Sequence, residues 1–204
     1  MEMYINGMGA ISPQPLSGEI KIPTAQDQKF LAVEPDYTEW IDPRLLRRMS
    51  RIVSMGVSAA FMALKDAGVE MPDAITTGTC FGCLEDTGTF LTKMVKQNEE
   101  GGNPTPFIQS THNTIGSQVA LLLGCHGHNQ TFTHQSFSLE SACLDARMLL
   151  AENPEQKILV GAVDEITEDS HSIMQRAGIF GDGVVHGEGA FYFLCGSKKN
   201  KNSY

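Results

Sequence analysis

Residues 42–68 read DPRLLRRMSRIVSMGVSAAFMALKDAG, and this stretch constrains the fold more than any other. Asp42 can cap a helix whose first turn contains Pro43, and Gly68 is a typical helix end. Between them, apolar and small residues are so frequent that they cover more of the helix than a solvent-facing helix needs. The stretch therefore predicts one long helix, residues 43–67, buried between other layers of structure.

Strand and helix patterns alternate on both sides of this helix. Short apolar segments bounded by glycine, proline or asparagine predict strands at 3–8, 75–79, 131–136, 157–162 and 189–195. Helical spacing predicts further helices at 85–98, 113–123, 139–151 and 168–176. Such alternation is typical of an α/β layered domain with a largely parallel sheet. We predict one domain over residues 1–204, with a loop at 99–106 and a polar tail from about residue 197.

The composition is that of an ordinary soluble globular protein. Of 204 residues, 41% are hydrophobic and 19% are charged. No apolar run approaches the roughly 20 residues that a membrane helix requires. The formal net charge of −9 disfavours nucleic acid as a partner, and the five cysteines do not suggest a disulfide framework. We therefore expect a cytoplasmic protein that binds neither nucleic acid nor membranes.

Six short motifs follow one another along the chain. The first two are Tyr4-Ile-Asn-Gly-Met-Gly-Ala-Ile-Ser-Pro13 and Leu64-Lys-Asp-Ala-Gly68. Thr77-Gly-Thr79 comes third, and the fourth runs from Pro106-Phe-Ile108 through Asn113 to Gln118-Val-Ala120. The last two are Leu159-Val-Gly-Ala-Val-Asp-Glu165 and Gly183-Val-Val-His-Gly-Glu-Gly-Ala190.

In this order the motifs resemble segments of the β-ketoacyl synthase family, which typically read ITGMGAVSP, ALEDAGL, VGTG, FFIP…N…GQIA, LAGGAE and GFVLGEGAG. The resemblance covers essentially the whole chain, but only the N-terminal half of a family member. It implies the thiolase-like fold, in which two similar αβα halves are joined. This sequence matches the first half, with a mostly parallel mixed sheet.

The resemblance also indicates where a nucleophile would stand. In the family, a cysteine in a context such as TACSSG begins a buried helix, and two histidines from the second half support decarboxylation of the malonyl donor. Here, alignment from the strand side places Ser138 at that position, and alignment from Leu144-Asp-Ala146 places Glu140 there. Cys143 falls about a turn into the helix, where a free cysteine ordinarily packs as a small apolar residue. We expect no condensing activity from the isolated chain.

Two other constellations carry weaker hypotheses. Cys80-Phe-Gly-Cys83 has the CxxC spacing of zinc and redox sites, although replacement of small residues by small residues explains it without a metal. His134 precedes Ser138 by four residues on the predicted strand and would lie about 13 Å away, too far for a catalytic dyad. We expect neither a metal nor an organic cofactor.

The family contains a precedent for a chain without a nucleophile. Chain-length factors pair with a true ketosynthase, and short ones accompany ketosynthases of aryl polyene pathways. The resemblance therefore implies a non-catalytic subunit that forms a heterodimer with a full-length ketosynthase and reaches acyl carrier protein through it. A homodimer is the alternative when the chain is alone. The residues implied at the acyl pocket or interface are Phe107, Ile108, Thr111, Asn113, His134 and Phe137.

Four arginines offer a further contact. They follow one another at spacings of three and four, which would place them on one side of the predicted helix: Arg44, Arg47, Arg48 and Arg51. They form either a solvated face or a contact for a carrier protein or partner subunit.

Two other interpretations of the whole chain stay open. It could be the N-terminal fragment of a complete 3-oxoacyl-ACP synthase, or a small-molecule binding protein that reuses the half-fold. Association with another chain separates the subunit from the binder. Half of a two-half fold should expose a large apolar seam, and such surfaces usually mark an interface.

Overall fold

The computed structural model describes residues 2–14, 28–100, 104–179, 184–200 and 203–204. The first residue of the 183–190 motif, part of the predicted loop at 99–106 and part of the polar tail lie outside the described residues. The strands are β1 (Tyr4–Ile11), β2 (Lys29–Phe30), β3 (Ala74–Gly78), β4 (His128–Phe132), β5 (Ile158–Asp164), β6 (His186–Gly187) and β7 (Gly189–Gly196). The helices are α1 (Pro43–Leu46), α2 (Arg51–Ala67), α3 (Leu84–Lys96), α4 (Pro104–Gln109), α5 (Thr114–Leu123), α6 (Ser138–Glu152) and α7 (Glu168–Arg176).

Five of the strands form one sheet in the order β1-β7-β5-β3-β4. β3 pairs in parallel with β4 and with β5, whereas β7 runs antiparallel to both of its neighbours. Four of these five strands therefore point in the same direction, and the predicted mostly parallel mixed sheet is confirmed. β2 and β6 form a separate parallel pair.

Helix α2 covers one face of the sheet and is buried along most of its length. Its backbone approaches β1 so closely that a Cβ added at Gly7 or Gly9 would meet the carbonyl oxygens of Ala63 and Ala59. Helix α5 packs beside α2 on the same side, and together they complete a continuous core with β1, β3, β5 and β7. The prediction of a buried helix is confirmed.

The predicted helix at 43–67 is nevertheless interrupted, so its continuity is wrong. α1 ends at Leu46, and Ser50 has extended backbone (φ −72°, ψ 169°) immediately before α2. Serine favours this position because the residue before a helix adopts non-helical dihedral angles. Gly68 ends α2 in the left-handed conformation (φ 66°), as a C-terminal glycine should.

Helix α6 packs on the opposite face of the sheet, over β3, β4 and β5. Its inner residues Ala142 and Leu150 are fully buried, whereas Leu144 and Met148 on its outer side are 59% and 56% exposed. Met8 of β1, which alternation places on this face because Gly7 and Gly9 point towards α2, is 40% exposed. We call these three exposed apolar residues, Met8, Leu144 and Met148, the apolar seam; that they belong to the surface expected of a half-fold stays a prediction.

Two further boundaries differ from the sequence patterns. β4 ends at Phe132 instead of continuing to residue 136, because residues 135–137 form a 3-10 turn. The predicted loop at 99–106 gives way to α4 at Pro104, where proline is favourable because the first helical turn needs no internal amide donor.

The last described residues contact β1. The Tyr204 N–H donates to the Ile5 carbonyl, and the Asn200 side chain and the Ser203 hydroxyl donate to Asn6. Asn6 sits where the register between β1 and β7 shifts, so its main-chain oxygen is available for this contact. These residues of the predicted polar tail therefore pack on β1.

Candidate functional site

The carboxyl ends of β3, β4 and β5 lie side by side at one edge of the sheet. In α/β sheets, ligands bind outside the carboxyl ends of parallel strands. Three segments emerge there, namely the turn Thr79–Gly82 after β3, residues 133–138 after β4, and Asp164 at the end of β5. These segments form the candidate site, and we call residues 133–138 the elbow.

The elbow contains a residue in an uncommon conformation. Gln135 has φ 50°, in the left-handed region that residues other than glycine rarely occupy, and it is exposed. Residues 135–137 form a 3-10 turn that leads directly into α6 at Ser138. Sharp strand-to-helix turns of this kind can present a side chain for chemistry. When the family's TACS motif is laid on the elbow from Thr133 onward, Gln135 takes the place of the cysteine.

A glutamine in this place supports different chemistry from a cysteine. Its neutral carboxamide offers two N–H donors and one carbonyl acceptor, but no ionisable nucleophile. A thiolate is needed to form a thioester. All five cysteines lie among the described residues, and none is in the elbow. The elbow can therefore orient a ligand through hydrogen bonds, but its own side chains offer no thiol to acylate.

Ser138, one of the two predicted nucleophile equivalents, is buried beneath the elbow. Its Oγ lies 2.8 Å from the His134 amide nitrogen, 2.9 Å from the Thr79 carbonyl oxygen and 2.7 Å from the Gln135 carbonyl oxygen. The predicted separation of His134 and Ser138 is wrong, because β4 ends before His134 and the chain folds back. The contact uses the His134 main chain, so Ser138 ties backbone segments together and forms no dyad with the imidazole.

Glu140, the other predicted equivalent, is exposed in the first turn of α6. It lies beyond the elbow, on regular helix. Cys143 lies further along α6, half-buried against the core that α6 forms with the sheet, as predicted. Burial raises the pKa of its thiol, and nearby Glu140 adds to the effect. Gln135 is thus a third candidate for the nucleophile position beside Ser138 and Glu140, and which of the three stands there stays a prediction.

Asp164 holds the turn Thr79–Gly82. Its Oδ1 accepts hydrogen bonds from the Thr79 hydroxyl at 2.9 Å, the Cys80 amide at 2.8 Å and the Phe81 amide at 3.2 Å. Its Oδ2 lies 3.0 Å from the same Cys80 amide. Burial raises the pKa of Asp164, and the hydrogen bonds act in the opposite direction. One carboxylate thus satisfies donors from three consecutive residues.

The same turn touches structure on two sides. Its Thr79 carbonyl meets the Ser138 hydroxyl below the elbow. At its other end, Gly82 has φ 66°, and an added Cβ would lie 2.8 Å from the His112 imidazole. The turn therefore lies between the elbow and the segment that joins α4 to α5.

The predicted pocket residues fall into two groups, one on each side of this turn. In the first, Phe107 and Ile108 are 56% and 59% exposed and belong to helix α4. The Phe107 ring lies 5.7 Å from the ring of Phe90 on α3. Thr111 and Asn113 lie in the short connection to α5 and make hydrogen bonds to residues of that helix.

The second group lies on the elbow itself. The rings of His134 and Phe137 are 5.8 Å apart, and Phe137 is 61% exposed. An exposed aromatic residue beside the strained Gln135 gives this edge of the sheet an apolar contact surface. Whether the two groups face one acyl chain stays a prediction.

Two of the predicted arginines are engaged by carboxylates. Arg44 on α1 pairs with Asp42, and Arg51 at the start of α2 pairs with both Glu34 and Glu188. The prediction that the four arginines share one helix side is wrong, because α1 and α2 are separate helices.

The other two arginines lie in the break between these helices. Arg47 and Arg48 are exposed and line an open pocket of about 490 Å³, which Gln109 of α4 also lines. Gln109 donates to the Arg48 carbonyl and so ties α4 to this break. Contact with a carrier or partner stays a prediction, and Arg47 and Arg48 are the arginines placed to make it.

Two buried glutamates accept backbone N–H groups, as a structural role requires. Glu188 accepts from the Ala32 and Ile166 amides, each at 2.9 Å. Glu165 accepts from the Glu85 amide at the start of α3, at 3.3 Å, and burial raises its pKa to about 7. Glu165 therefore faces α3, whereas Asp164 faces the turn after β3, and the two do not act as a pair.

The CxxC cysteines flank the turn that Asp164 holds. Cys83 is fully buried, and burial raises the pKa of its thiol to about 12. Burial and the charge of Asp164 also raise the pKa of the Cys80 thiol. Both shifts disfavour the thiolate that redox chemistry needs.

Comparison with known proteins identifies the class. The family model for the N-terminal domain of β-ketoacyl synthases matches residues 11–199. The chain therefore belongs to the β-ketoacyl synthase family, as the six motifs predict. No curated protein sequence matches significantly. No helix within the described ranges has the length and apolarity to cross a membrane.

Solved structures share the fold at low sequence identity. The ishigamide ketosynthase/chain length factor superposes with a TM-score of 0.76 at 20% identity, over 95% of this chain and 62% of that one. The ketosynthase ApeO in complex with its chain length factor ApeC, from Xenorhabdus doucetiae, gives 0.73 at 19% identity, over 98% and 81%. A β-ketoacyl synthase from Burkholderia phymatum gives 0.76 at 15% identity, over 96% and 59%. The thiolase-like fold is confirmed, and the chain spans about three fifths of the length of the first and third of these.

Two site residues escape the sequence patterns. Gln135 becomes a candidate only when the TACS motif is aligned from Thr133 through the turn, and the polar residues around it permit other alignments. The sequence does not indicate a role for Asp164, because its hydrogen-bond partners Thr79 and Cys80 lie more than 80 residues earlier in the chain. A signal for Gln135 is nevertheless present in Thr133, which matches the first residue of the motif.

Proposed function

We propose that this chain is a non-catalytic, chain-length-factor-like partner of a full-length ketosynthase in polyketide or fatty-acid biosynthesis of the aryl polyene type. The observation that carries the proposal is the left-handed backbone of Gln135 in the elbow, a residue without a nucleophile that alignment from Thr133 matches to the family's cysteine. Such a chain keeps the surface of the family but cannot accept an acyl group. Acyl carrier protein would be met through the catalytic partner.

The edge strand β4 supports a partner on this side. Residues 128–130 of β4 are exposed, and β4 pairs with β3 on one side only among the described strands. The opposite edge strand, β1, is contacted by Asn200, Ser203 and Tyr204. Exposed strand edges are templates for pairing with another chain. A chain added at β4 would lie next to the elbow and its exposed Phe137.

The similar structures support the same partner class. Two of them are described as a ketosynthase with a chain length factor, and a third shows a type II polyketide acyl-carrier protein in complex with its ketosynthase. That third structure superposes with a TM-score of 0.73 at 19% identity. These descriptions concern those proteins, and they indicate which kind of partner to seek.

Co-purification tests the proposal. A tagged copy of the chain, expressed in its native host, should recover a full-length ketosynthase at one-to-one stoichiometry, identified by mass spectrometry. Recovery of the chain alone, as a monomer or homodimer, would exclude the subunit and favour a small-molecule binder.

A matched pair of variants locates the interface. Phe137→Glu places a charge on the elbow and should lower recovery of the ketosynthase at least tenfold, because a desolvated charge in an interface is costly. Leu121→Glu makes the same kind of change at a 73% exposed leucine on α5, on the other face of the sheet. It should leave recovery unchanged. Equal loss with both variants would mean that the elbow is not at the interface.

A further inference from the structure

We propose that Asp164 is a positioning residue that fixes the turn Thr79–Gly82 and, through it, the elbow that presents Gln135. The effect of this positioning on acyl chains rests on the proposed function, because it requires the elbow to contact the acyl chain held by a partner ketosynthase. Its first evidence, however, is a continuous series of contacts within this chain. Asp164 touches neither Gln135 nor the predicted pocket residues in this series, so it would act through the turn.

The first step joins Asp164 to the turn. The Cys80 and Phe81 amides and the Thr79 hydroxyl all converge on its Oδ1. Hydrogen bonds to a carboxylate are stronger than those to a neutral acceptor. Thr79 Oγ1 accepts in turn from the Gly82 amide at 2.8 Å. The donors of the turn are thus organised around one half-buried side chain from a different strand.

The second step joins the turn to the elbow. The Thr79 carbonyl oxygen lies 2.9 Å from Ser138 Oγ, which accepts from the His134 amide at 2.8 Å. His134 immediately precedes Gln135 in the chain. A Cβ added at Gly78 would lie 2.7 Å from the Ser138 carbonyl carbon, so the end of β3 packs directly on the start of α6. A shift of the turn therefore has little room to be absorbed before it reaches the elbow.

The third step joins the turn to the other predicted group. Gly82 lies against His112, with no room for a side chain between them. Thr87 Oγ1 of α3 lies 2.9 Å from the Cys83 carbonyl oxygen and 3.0 Å from the Ser110 carbonyl oxygen, so its single hydroxyl proton is shared between them and ties the continuation of the turn to the end of α4. Asp164 is thus placed to set the relative positions of Phe107 on one side and Gln135 on the other.

Asp164→Asn is the variant that separates positioning from packing. It keeps the size of the side chain and one acceptor oxygen, so no cavity is made. The oxygen retained at the Oδ1 position is neutral, however, and accepts more weakly, and the amide nitrogen at the Oδ2 position brings a donor towards the Cys80 amide. We therefore expect a looser turn in a folded protein. Asp169→Asn, at an exposed aspartate on α7, is the matched control.

Amide hydrogen exchange of the isolated chain measures the connection. Asp164→Asn should accelerate exchange at Cys80, Phe81 and His134 by at least tenfold, with the amides of β7 unchanged and with no such effect in Asp169→Asn. Combined with Ser138→Ala, it should add little at His134, because both changes break the same series of hydrogen bonds. Acceleration at Cys80 and Phe81 with an unchanged His134 would overturn the proposal, and so would uniform acceleration that includes β7.

The complex supplies the functional measurement. Co-purified with its ketosynthase, the Asp164→Asn chain should keep one-to-one stoichiometry but give a broader distribution of product chain lengths than the wild-type complex. An unchanged distribution in an intact complex would overturn the proposed positioning role, even where the exchange result holds. Failure of the wild-type chain to bind any ketosynthase would instead overturn the proposed function, and the exchange experiment would still test the series of contacts.

Discussion

The two faces of the sheet differ in how completely helices bury their apolar residues. On one face, α2 and α5 close a core in which Ile52, Ile115 and Leu159 are fully buried. On the other face, α6 covers β3, β4 and β5, while the apolar seam of Met8, Leu144 and Met148 faces outward. We call these the closed face and the open face.

This difference separates the residues that stabilise the fold from the residues that are available to contact another polypeptide. Where Gly9 meets α2 on the closed face, the two backbones touch and leave no room for added atoms. The open face keeps apolar side chains in water, which is unfavourable by about 25 cal/mol per Å² of exposed apolar area. A surface of this kind is normally covered by another polypeptide. Stability should therefore respond strongly to changes on the closed face and weakly to changes on the open face.

The largest effect is expected at Gly9. In Gly9→Ala the new methyl group meets the Ala59 carbonyl and the backbone of Ala63, neither of which can move without displacing α2. Overpacking of this kind typically costs 1–3 kcal/mol, and here we expect about 3 kcal/mol or more, measured by urea denaturation. Gly88→Ala on α3 is the control, because an added Cβ there has nothing within 4 Å. It should stabilise by about 0.5–1 kcal/mol, and equal effects of the two variants would contradict the assignment of a closed face.

An intermediate effect is expected at Glu165, a carboxyl group shut away from water beside α3. Burial raises its pKa to about 7, so the folded state holds its proton where the unfolded state has lost it. Stability should therefore fall as pH rises from about 4.5 to about 7, by about 2 kcal/mol after allowance for screening. Glu165→Gln should remove this part of the pH dependence of the unfolding midpoint. A midpoint that falls just as steeply in the variant would show that other groups are responsible.

The smallest effect is expected at Leu144, on the apolar seam. Leu144→Glu places a charge where the side chain is already 59% exposed, so the free energy of unfolding should change by less than about 0.5 kcal/mol. The variant should also reduce self-association at high concentration, as followed by size-exclusion chromatography. A large loss of stability would mean that the seam is packed within the chain itself.

The sequence correctly predicts the burial of α2 and the bounds of α7. The strong periodicity of residues 51–67 reports burial, and α7 begins and ends where the spacing places it, at Glu168 and Arg176. Those signals are local and repeat over several turns. The break between α1 and α2 is harder to predict, because residues 47–50 contain no glycine or proline that would mark it, and the backbone becomes extended only at Ser50.

The candidate site depends on non-local geometry and is therefore less visible. A left-handed residue such as Gln135 has no side-chain signature, since glutamine is rare in that conformation. The role of Ser138 as a hydroxyl between main-chain groups depends on Thr79, 59 residues earlier. Spacing within one segment cannot reveal either contact. The family motifs locate the region, and the left-handed turn draws attention to Gln135 within it.

The position of β7 has a consequence for synthesis on the ribosome. β7 is the last of the five strands in the chain but lies between β1 and β5. Tyr4 at the start of β1 therefore cannot pair until its partner Gly196 has been synthesised. At 5–20 residues per second, that wait lasts roughly 10–40 s. During this time β1 has an unpaired edge on the side that β7 will fill, and β5 likewise lacks one neighbour. Newly made chains should therefore depend on chaperones, or on a partner that is already present, more than the finished fold does.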